Sequence, residues 1–423
     1  MAQMKVLISG AGITGNALAY WLSKLGHDVT VVERFPELRT TGLQVDLRGP
    51  GVEVLKLMGF DQAFRAKSVP EQGFLIVDSA NRRRAYFGVN KSGKGLQSFT
   101  TEYEIMRGDL CRIMYDVIKD KVTFRFGVSI DSFKQKNNEV EVHFTDGTTD
   151  HFDFLVGADG MGSNTRKLML GPGVQDALRP VKGAYTAYFT IPRPIQKGEE
   201  YNSTFYLATG RRAIMTRRHS PQEIQVYLPC NTTSDRMKQA HRDGVDEQKK
   251  VLAEIFDDAG WEAKDILRDM FNSENFYCER LGLVKLDSWF NGNVALVGDA
   301  AYCPSPLTGM GTTSGLVGAY VLAGEIGRHC GKPKDGAKAP TDGLDVAFKS
   351  YDDKFRPFID QVTHGVGDDT IFWNQMPSSA FAVALVNLIL GIAAFLRLNV
   401  VGNWILKENV KWTLPNYDEL MRS

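Results

Sequence analysis

The feature that most constrains this chain stands at its start. The apolar run Lys5 to Ser9 leads into Gly10-Ala11-Gly12-Ile13-Thr14-Gly15, a helical stretch from about Asn16 to Leu25, Gly26, and the β-branched run Val29 to Val32. Strand, glycine turn, helix and strand in about thirty residues make a βαβ unit. Each glycine of the GxGxxG pattern answers a separate demand: a tight turn, a close approach of backbone to a pyrophosphate, and close packing of helix on strand. A phosphate there would sit at the positive end of the helix dipole. Glu33 follows Gly10 by 23 residues, at the end of the second strand. A carboxylate in that place accepts hydrogen bonds from ribose hydroxyls and repels a 2′-phosphate. The unit predicts an adenine dinucleotide, NAD or FAD in preference to NADP, with a purely structural glycine turn as the alternative.

Glycine is also the one compositional departure, at 41 of 423 residues, where a share of about 7% would give roughly thirty. The 50 Lys and Arg balance the 50 Asp and Glu, so no global field favours a polyanion and nucleic-acid binding is not expected. Cys111, Cys230, Cys278, Cys303 and Cys330 show no metal-finger or CxxC spacing, which fits a reducing compartment. The N-terminus runs directly into the first strand without a cleavable signal, so a cytoplasmic location is expected.

Two further glycine-rich segments follow strands. GADGMGSNTR, Gly157 to Arg166, ends a strand-rich block near Val122 to Phe154 that contains an Asp146-Gly147 hairpin turn. It reads as a ligand loop or as an ordinary capped turn. GDAAYCPSPLTGMG, Gly298 to Gly311, lies between the buried run Val294 to Val297 and a helix from about Gly311 to Arg328. Two prolines, with Gly309 and Gly311 before the helix, suit a stiff wall whose backbone amides face a flat ring. Between these segments, Lys182 to Pro229 reads as aromatic-rich strands carrying Tyr185, Tyr188, Phe189, Phe205, Tyr206 and Tyr227. Ala380 to Leu396 is almost wholly apolar. It is short for a membrane span and is expected to be a buried or domain-bridging helix. Membrane docking, flanked by Arg397 and Trp404, is the less favoured reading.

In order and spacing, the GxGxxG unit with Glu33, the GADG segment and the GDAAYCPSPLTGMG segment resemble the FAD-dependent aromatic monooxygenases of the para-hydroxybenzoate hydroxylase fold. The resemblance covers about residues 4 to 330. GLQVDLRGPG at Gly42 to Gly51, MRGDL at Met106 to Leu110 and the late loop are most similar to the tetracycline-inactivating flavoenzymes and related enzymes of secondary metabolism. The resemblance implies an α/β fold: a discontinuous Rossmann-like FAD-binding domain (1–75, 101–178 and 284–370) and a mostly antiparallel substrate domain (76–100 and 179–283). A C-terminal helical segment (371–423) would follow.

The same resemblance implies roles. Gly10, Gly12, Thr14 and Gly15 would hold the pyrophosphate and Glu33 the ribose, with Arg34 nearby. Asp46 and Arg107 would contact FAD. Asp159 would approach the pyrophosphate and help with the nicotinamide donor, and Asp299 would bond the ribityl hydroxyls. Pro306, Gly309, Gly311 and Thr312 would line the flavin edge. Tyr188 and Arg212 would face substrate, although a Tyr there could equally be core and the arginines near 211 to 218 an edge strand kept soluble by charge. Met310 and the Thr312-Thr313 pair depart from the family's usual loop residues, and Tyr302 replaces a His.

The chemistry implied uses bound FAD, transient NADPH or NADH, and O2. A flavin C4a-hydroperoxide would oxygenate an aromatic, phenolic or polyketide-like small molecule. Monomer or weak dimer is expected. A flavin oxidase or dehydrogenase on the same fold, or a ligand-binding relative without turnover, are the alternatives; a halogenase is disfavoured because no WxWxIP-like sequence is present. The purified protein is expected to be yellow, with the two visible bands of oxidised flavin. A colourless protein that FAD cannot reconstitute would contradict the reading.

Overall fold

In the computed structural model, Lys5–Ser9 (β1), Ile13–Lys24 (α1) and Asp28–Glu33 (β2) form the N-terminal unit. The structure describes residues 3–90, 100–136, 138–330, 340–366, 376–396 and 410–421. Arg397 and Trp404 lie outside them. β1 sits inside a six-stranded sheet ordered Phe290–Asn291, Val294–Leu296, Phe154–Gly157, β1, β2, Thr123–Phe126. All neighbours run parallel except the Phe290–Asn291 edge. Strands covered on both faces need no alternation, which is why β1 reads as an apolar run and β2 as a β-branched one.

Register explains how three distant motifs meet. Ser9 pairs with Gly157, and Gly157 pairs with Leu296. The loops that leave these strands therefore emerge side by side at the carboxyl edge of the sheet, where open α/β sheets bind ligands. Glycine makes the approach possible. Gly10 has φ +106°, and a β carbon on Gly15 would fall 1.9 Å from the Gly10 carbonyl oxygen. Gly298 and Gly315 both pack on the Thr14 hydroxyl, at 2.7 and 2.4 Å from where their β carbons would stand. The late loop is thus clamped on the start of α1.

A seven-stranded sheet forms the second layer, ordered Tyr277–Val284, Leu178–Pro192, Glu223–Asn231, Arg212–Arg218, Asn202–Ala208, Gly73–Val77, Arg83–Gly88. It is antiparallel except where Asn202–Ala208 meets Gly73–Val77. The side-chain period of two splits its residues. Tyr185, Ala187, Phe189, Ile191 and Ile214 pack with Leu252, Phe256, Ile266 and Met270 of the helices Val245–Phe256 and Ala263–Asn272. Residues of opposite parity face the first domain. The sheet's strands begin at Gly73 and Leu178, slightly before the boundaries expected at 76 and 179.

The apolar segment forms the helix Ala380–Phe395 and lies on this sheet. Leu390 and Ala394 pack on Ile76, Ala85 and Phe87, and Val383 and Val386 on Leu207 and Ala213. It is only half covered: Phe381 and Phe395 remain 79% and 85% exposed, so the expectation of a buried helix is corrected to a helix docked by one face. Among the described residues, no helix is long and apolar enough to cross a membrane. Residues 410–421 return to the first core, where Tyr417 is fully buried and its hydroxyl donates to Glu325 at 2.6 Å. All five cysteines are buried and free of disulfides.

Gly15→Ala is expected to destabilise the fold by on the order of 1–3 kcal/mol through overpacking, read as a lowered Tm. Gly162→Ala, where a β carbon meets nothing within 4 Å, is expected to leave Tm nearly unchanged.

Candidate active site

Three hollows adjoin one another along the glycine-rich loops. The first, of about 430 Å³, is lined by Gly10, Gly12, Glu33, Arg34, Phe35, Arg39, Arg107 and Asp159, among others. It begins at the N-terminus of α1, whose first-turn amides have no partners within the helix and whose first turn holds no acidic residue. Gly12 leaves that end bare: a β carbon there would meet only the Arg107 guanidinium, at 3.4 Å. Arg34, Arg39 and Arg107 bring three positive charges to the same hollow. Burial, with the charges of Arg107 and Arg34 behind it, holds the Arg39 guanidinium below its ordinary pKa. Crowded cations beside open backbone amides form a site for a polyanion such as a pyrophosphate.

Glu33 is fixed at the end of β2. Its Oε2 accepts from the Ala11 N–H at 2.9 Å and its Oε1 from the Phe35 N–H at 3.0 Å. Lone pairs remain on both oxygens for ribose hydroxyls. Asp159, expected to approach the pyrophosphate, borders the same hollow. Its oxygens accept from the Ser163 hydroxyl at 2.5 Å and from the Thr165 N–H and hydroxyl at 3.0 Å each. The carboxylate therefore braces its own turn, and Ser163 caps the following helix through the Arg166 N–H at 2.9 Å. Fully buried Arg166 bonds Asp176 and the Ala300 carbonyl, tying this turn to the late loop.

The second hollow, of about 390 Å³, brings together Gly12, Thr14, Gln44, Asp46, Arg107, Asp299, Pro306, Gly309, Gly311 and Thr312. Asp299 starts a short helix, and burial raises its pKa although the Cys303 thiol bonds it. Glu279, which borders the first and second hollows, is pushed up to about 7 by burial and the nearby Asp299 charge. The loop itself is stiff: the Thr308 hydroxyl donates to the Ser305 carbonyl at 3.0 Å and accepts from the Met310 N–H at 3.1 Å. Met310 is turned into the core, at 1% exposure. Thr313 accepts from the Arg48 N–H at 3.0 Å and packs on Gly51. Of the departures from the family loop, only Thr312 reaches the hollow. Tyr302 is buried against Trp289 and Phe355 and is structural.

The third hollow, of about 340 Å³, shares Gln44, Asp46, Tyr188, Tyr227, Pro306 and Gly309 with the second. Phe74, Phe205, Met215, Leu281 and Leu307 give it an apolar wall. Tyr188 stands at the junction, stacked on Tyr277 with centroids 4.8 Å apart and edge-on to Tyr227 at 5.4 Å. Arg212 is not there, which corrects its reading as substrate-facing. Its guanidinium bonds the Thr209 and Ile255 carbonyls and Asp258, on the helix side of the sheet. Five positions on, the opposite parity puts Arg217 in the hollow.

Arg217 is held by two buried acids, bonding Glu71 with Nε and Nη2 at 3.0 Å each and reaching Glu104 at 2.9 Å. Burial pushes Glu104 up to about 8 against the opposing pull of Arg217. The Gln44 side-chain N–H group donates to both acids, at 2.8 and 3.1 Å. Gln44 lies within the GLQVDLRGPG segment, whereas Glu71, Glu104 and Arg217 sit in none of the motifs, and only the alternation of the Arg212–Arg218 strand carried a signal for Arg217. Two larger hollows, of about 780 and 760 Å³, lie near Met169–Pro180 and under the Ala380–Phe395 helix and touch none of the glycine loops. No cluster suited to a metal ion exists among the described residues.

Arg39→Ala and Arg107→Ala are each expected to weaken FAD binding by about tenfold or more, as lost charge-assisted contacts of roughly 1.5–3 kcal/mol predict. Titration of apoprotein by flavin fluorescence quenching measures this, and unchanged affinity in both variants would refute the pyrophosphate assignment.

Similarity to known proteins agrees with this geometry. The FAD binding domain family matches residues 3–362. The chain is 49% identical to the FAD-dependent monooxygenase asL4 of Sarocladium schorii, over 100% of both chains. It is 40% identical to the flavin-dependent monooxygenase eupH of a Phoma species, over 93% of each. The crystal structure of tetracycline destructase Tet(51) superposes with a TM-score of 0.74 at 29% identity, covering 98% of this chain and 99% of that one. With its three glycine loops gathered on one cleft, the chain belongs to the FAD binding domain family and is a flavin-dependent monooxygenase.

Proposed function

We propose that the enzyme takes two electrons from NADPH or NADH and transfers one oxygen atom of O2 to an electron-rich aromatic, phenolic or polyketide-like molecule, the other oxygen leaving as water. The observation that carries this reading is the continuity of the second and third hollows: the same residues, Tyr188, Tyr227, Pro306 and Gly309, wall both. A flat substrate in the third would lie directly against a ring in the second. Bound FAD would supply the electron transfer and oxygen activation.

The chain's own residues do the remaining work in this proposal. The amides of Gly12 to Thr14, with Arg39 and Arg107, hold the pyrophosphate, and Glu33 accepts from the adenosine ribose. Asp299 accepts from the ribityl hydroxyls, where an O–H donor would replace the Cys303 thiol. Asp46, fixed by the Arg48 Nε–H at 2.5 Å, borders both ring and substrate. The N–H groups of Gly311 and Thr312, at the start of the Gly311–His329 helix and without partners within it, would stabilise negative charge on the ring; Pro306 has no N–H and serves to stiffen the turn. The tyrosine stack at 188 and 277 and the apolar wall exclude water, which protects reactive oxygen species from wasteful release. A volume near 340 Å³ lies at the small end of the usual range of roughly 300–1,000 Å³, suiting a compact aromatic. A cytoplasmic location completes the reading, supported by five free buried cysteines.

Incubation with isotopically labelled O2, NADPH and a panel of polyphenols tests the proposal. Labelled oxygen is expected in the organic product, with NADPH consumption faster when substrate is present. Stoichiometric peroxide and an unlabelled product would establish an oxidase instead.

A further inference from the structure

A cofactor that runs from the first hollow into the second must pass the residues common to both, Gly12, Arg107, Ala158, Gly160 and Glu279. Two of these are charged, and they are opposite in sign. A guanidinium suits a pyrophosphate at that point, whereas an ionised carboxylate repels it. The sheet fixes where Glu279 stands. It lies on the edge strand Tyr277–Val284 and pairs with Thr186. Cys278 packs in the helix-side core, so the opposite parity turns Tyr277 and Glu279 to the cleft, where both line the second hollow.

The Glu279 carboxylate is partly buried and has no hydrogen-bond or ion-pair partner among the described residues. The other acids of the two hollows are held. Glu33 accepts from two backbone N–H groups, Asp159 from Ser163 and Thr165, and Asp46 from Arg48. Asp299 has the Cys303 thiol as its donor. Arg34, Arg39 and Arg107 bring positive charge to the first hollow, yet the influences on Glu279 are burial and the Asp299 charge, which push it up to about 7. Burial also raises the phenols of Tyr188, Tyr227 and Tyr277 and the Cys303 thiol, so these stay neutral in the same range. A pyrophosphate beside Gly12 would add negative charge and favour the neutral Glu279 carboxyl still more.

We propose that Glu279 is a cofactor-binding residue that acts in its neutral form, its carboxyl O–H donating to a phosphate oxygen of FAD where the cofactor passes between the hollows. Arg107 and the α1 amides meet the pyrophosphate with positive charge from the first domain, and Glu279 bonds it from the second layer without opposing them. The inference rests on the placing of the pyrophosphate at Gly12 and adds a proton to it. Wherever Glu279 is ionised in the free protein, FAD binding takes up that proton. The FAD-bound protein holds the proton more tightly than the free protein does. Affinity is therefore level below the free protein's value of about 7 and falls as pH rises through it.

FAD-loaded protein diluted to one low concentration between pH 6 and 9 tests this, the fraction of FAD released at equilibrium being read from its fluorescence. Wild-type affinity is expected to fall by about tenfold between roughly pH 6.5 and 8.5, the size of a one-unit rise in the carboxyl pKa on binding. Glu279→Gln, neutral at every pH and still a donor, is expected to match the wild-type affinity of the acid limb and to change by less than about twofold across the range. Glu279→Thr, which suits a strand and keeps a hydroxyl donor, is expected to be level as well and carries the test if Glu279→Gln does not fold. A wild-type affinity independent of pH, or an equal fall in the folded variant, overturns the proposal. So does Glu279→Gln protein that binds about tenfold more weakly than wild type at pH 6, the size of one lost charged contact, since the ionised carboxylate would then be the working form. Unchanged affinity in Arg39→Ala and Arg107→Ala, with the pH dependence lost in Glu279→Gln, would refute the pyrophosphate assignment of the two arginines while supporting the role of Glu279.

Discussion

The structure depends on how closely three backbone turns approach one another at the carboxyl edge of one parallel sheet. Gly10 passes within contact of Ala158, Gly15 lies on the Gly10 carbonyl, and Thr14 fits between Gly298 and Gly315. None of these contacts tolerates a β carbon at the glycine without displacement. The cofactor cleft is what remains between the turns, with amides from α1 and from the late loop exposed toward it. Close packing thus creates the site, and the glycine surplus is concentrated where it is structurally required.

The second layer contributes by a different rule. Its sheet uses one parity to pack on helices and the other to face the cleft, so a single strand supplies both core and site. Arg212–Arg218 is the clearest instance. Arg212 reinforces the helical side through Asp258, whereas Met215 and Arg217 face the third hollow. Burying Arg217 with Glu71 and Glu104 is expensive in desolvation, and the structure offsets it with a dense set of hydrogen bonds. That expense is more easily explained by a fixed polar group on the cleft wall than by stability.

The polar residues of the middle turn illustrate the difference between being in a cleft and acting in it. Asp159 borders the first hollow, but its oxygens are engaged by Ser163 and Thr165. Its contribution is the shape of the turn that borders that hollow. Met310 and Thr313 are similar: both depart from the family loop, yet one fills the core and the other buttresses Gly51. Sequence differences at such positions change packing partners before they change the chemistry of the cleft.

Local pattern was enough for much of the cofactor end. Strand, GxGxxG, helix and Glu33 lie within one short segment, and their geometry follows from near-neighbour rules of turn, dipole and register. The Arg212 to Arg218 stretch read as substrate-facing or as a charged edge strand, whereas it lies inside the seven-stranded sheet; which parity faces the cleft depends on which layer packs on each side. Gln44, Glu71, Glu104 and Arg217 are remote in sequence and come together only through pairing of the Gln44–Asp46 and Glu104–Met106 strands and the stacking of the seven-stranded sheet against them. The sequence alone therefore determined the dinucleotide unit and the family. The tertiary structure decided the wall of the third hollow, because long-range register and burial, rather than local spacing, select which side chains of distant strands face it.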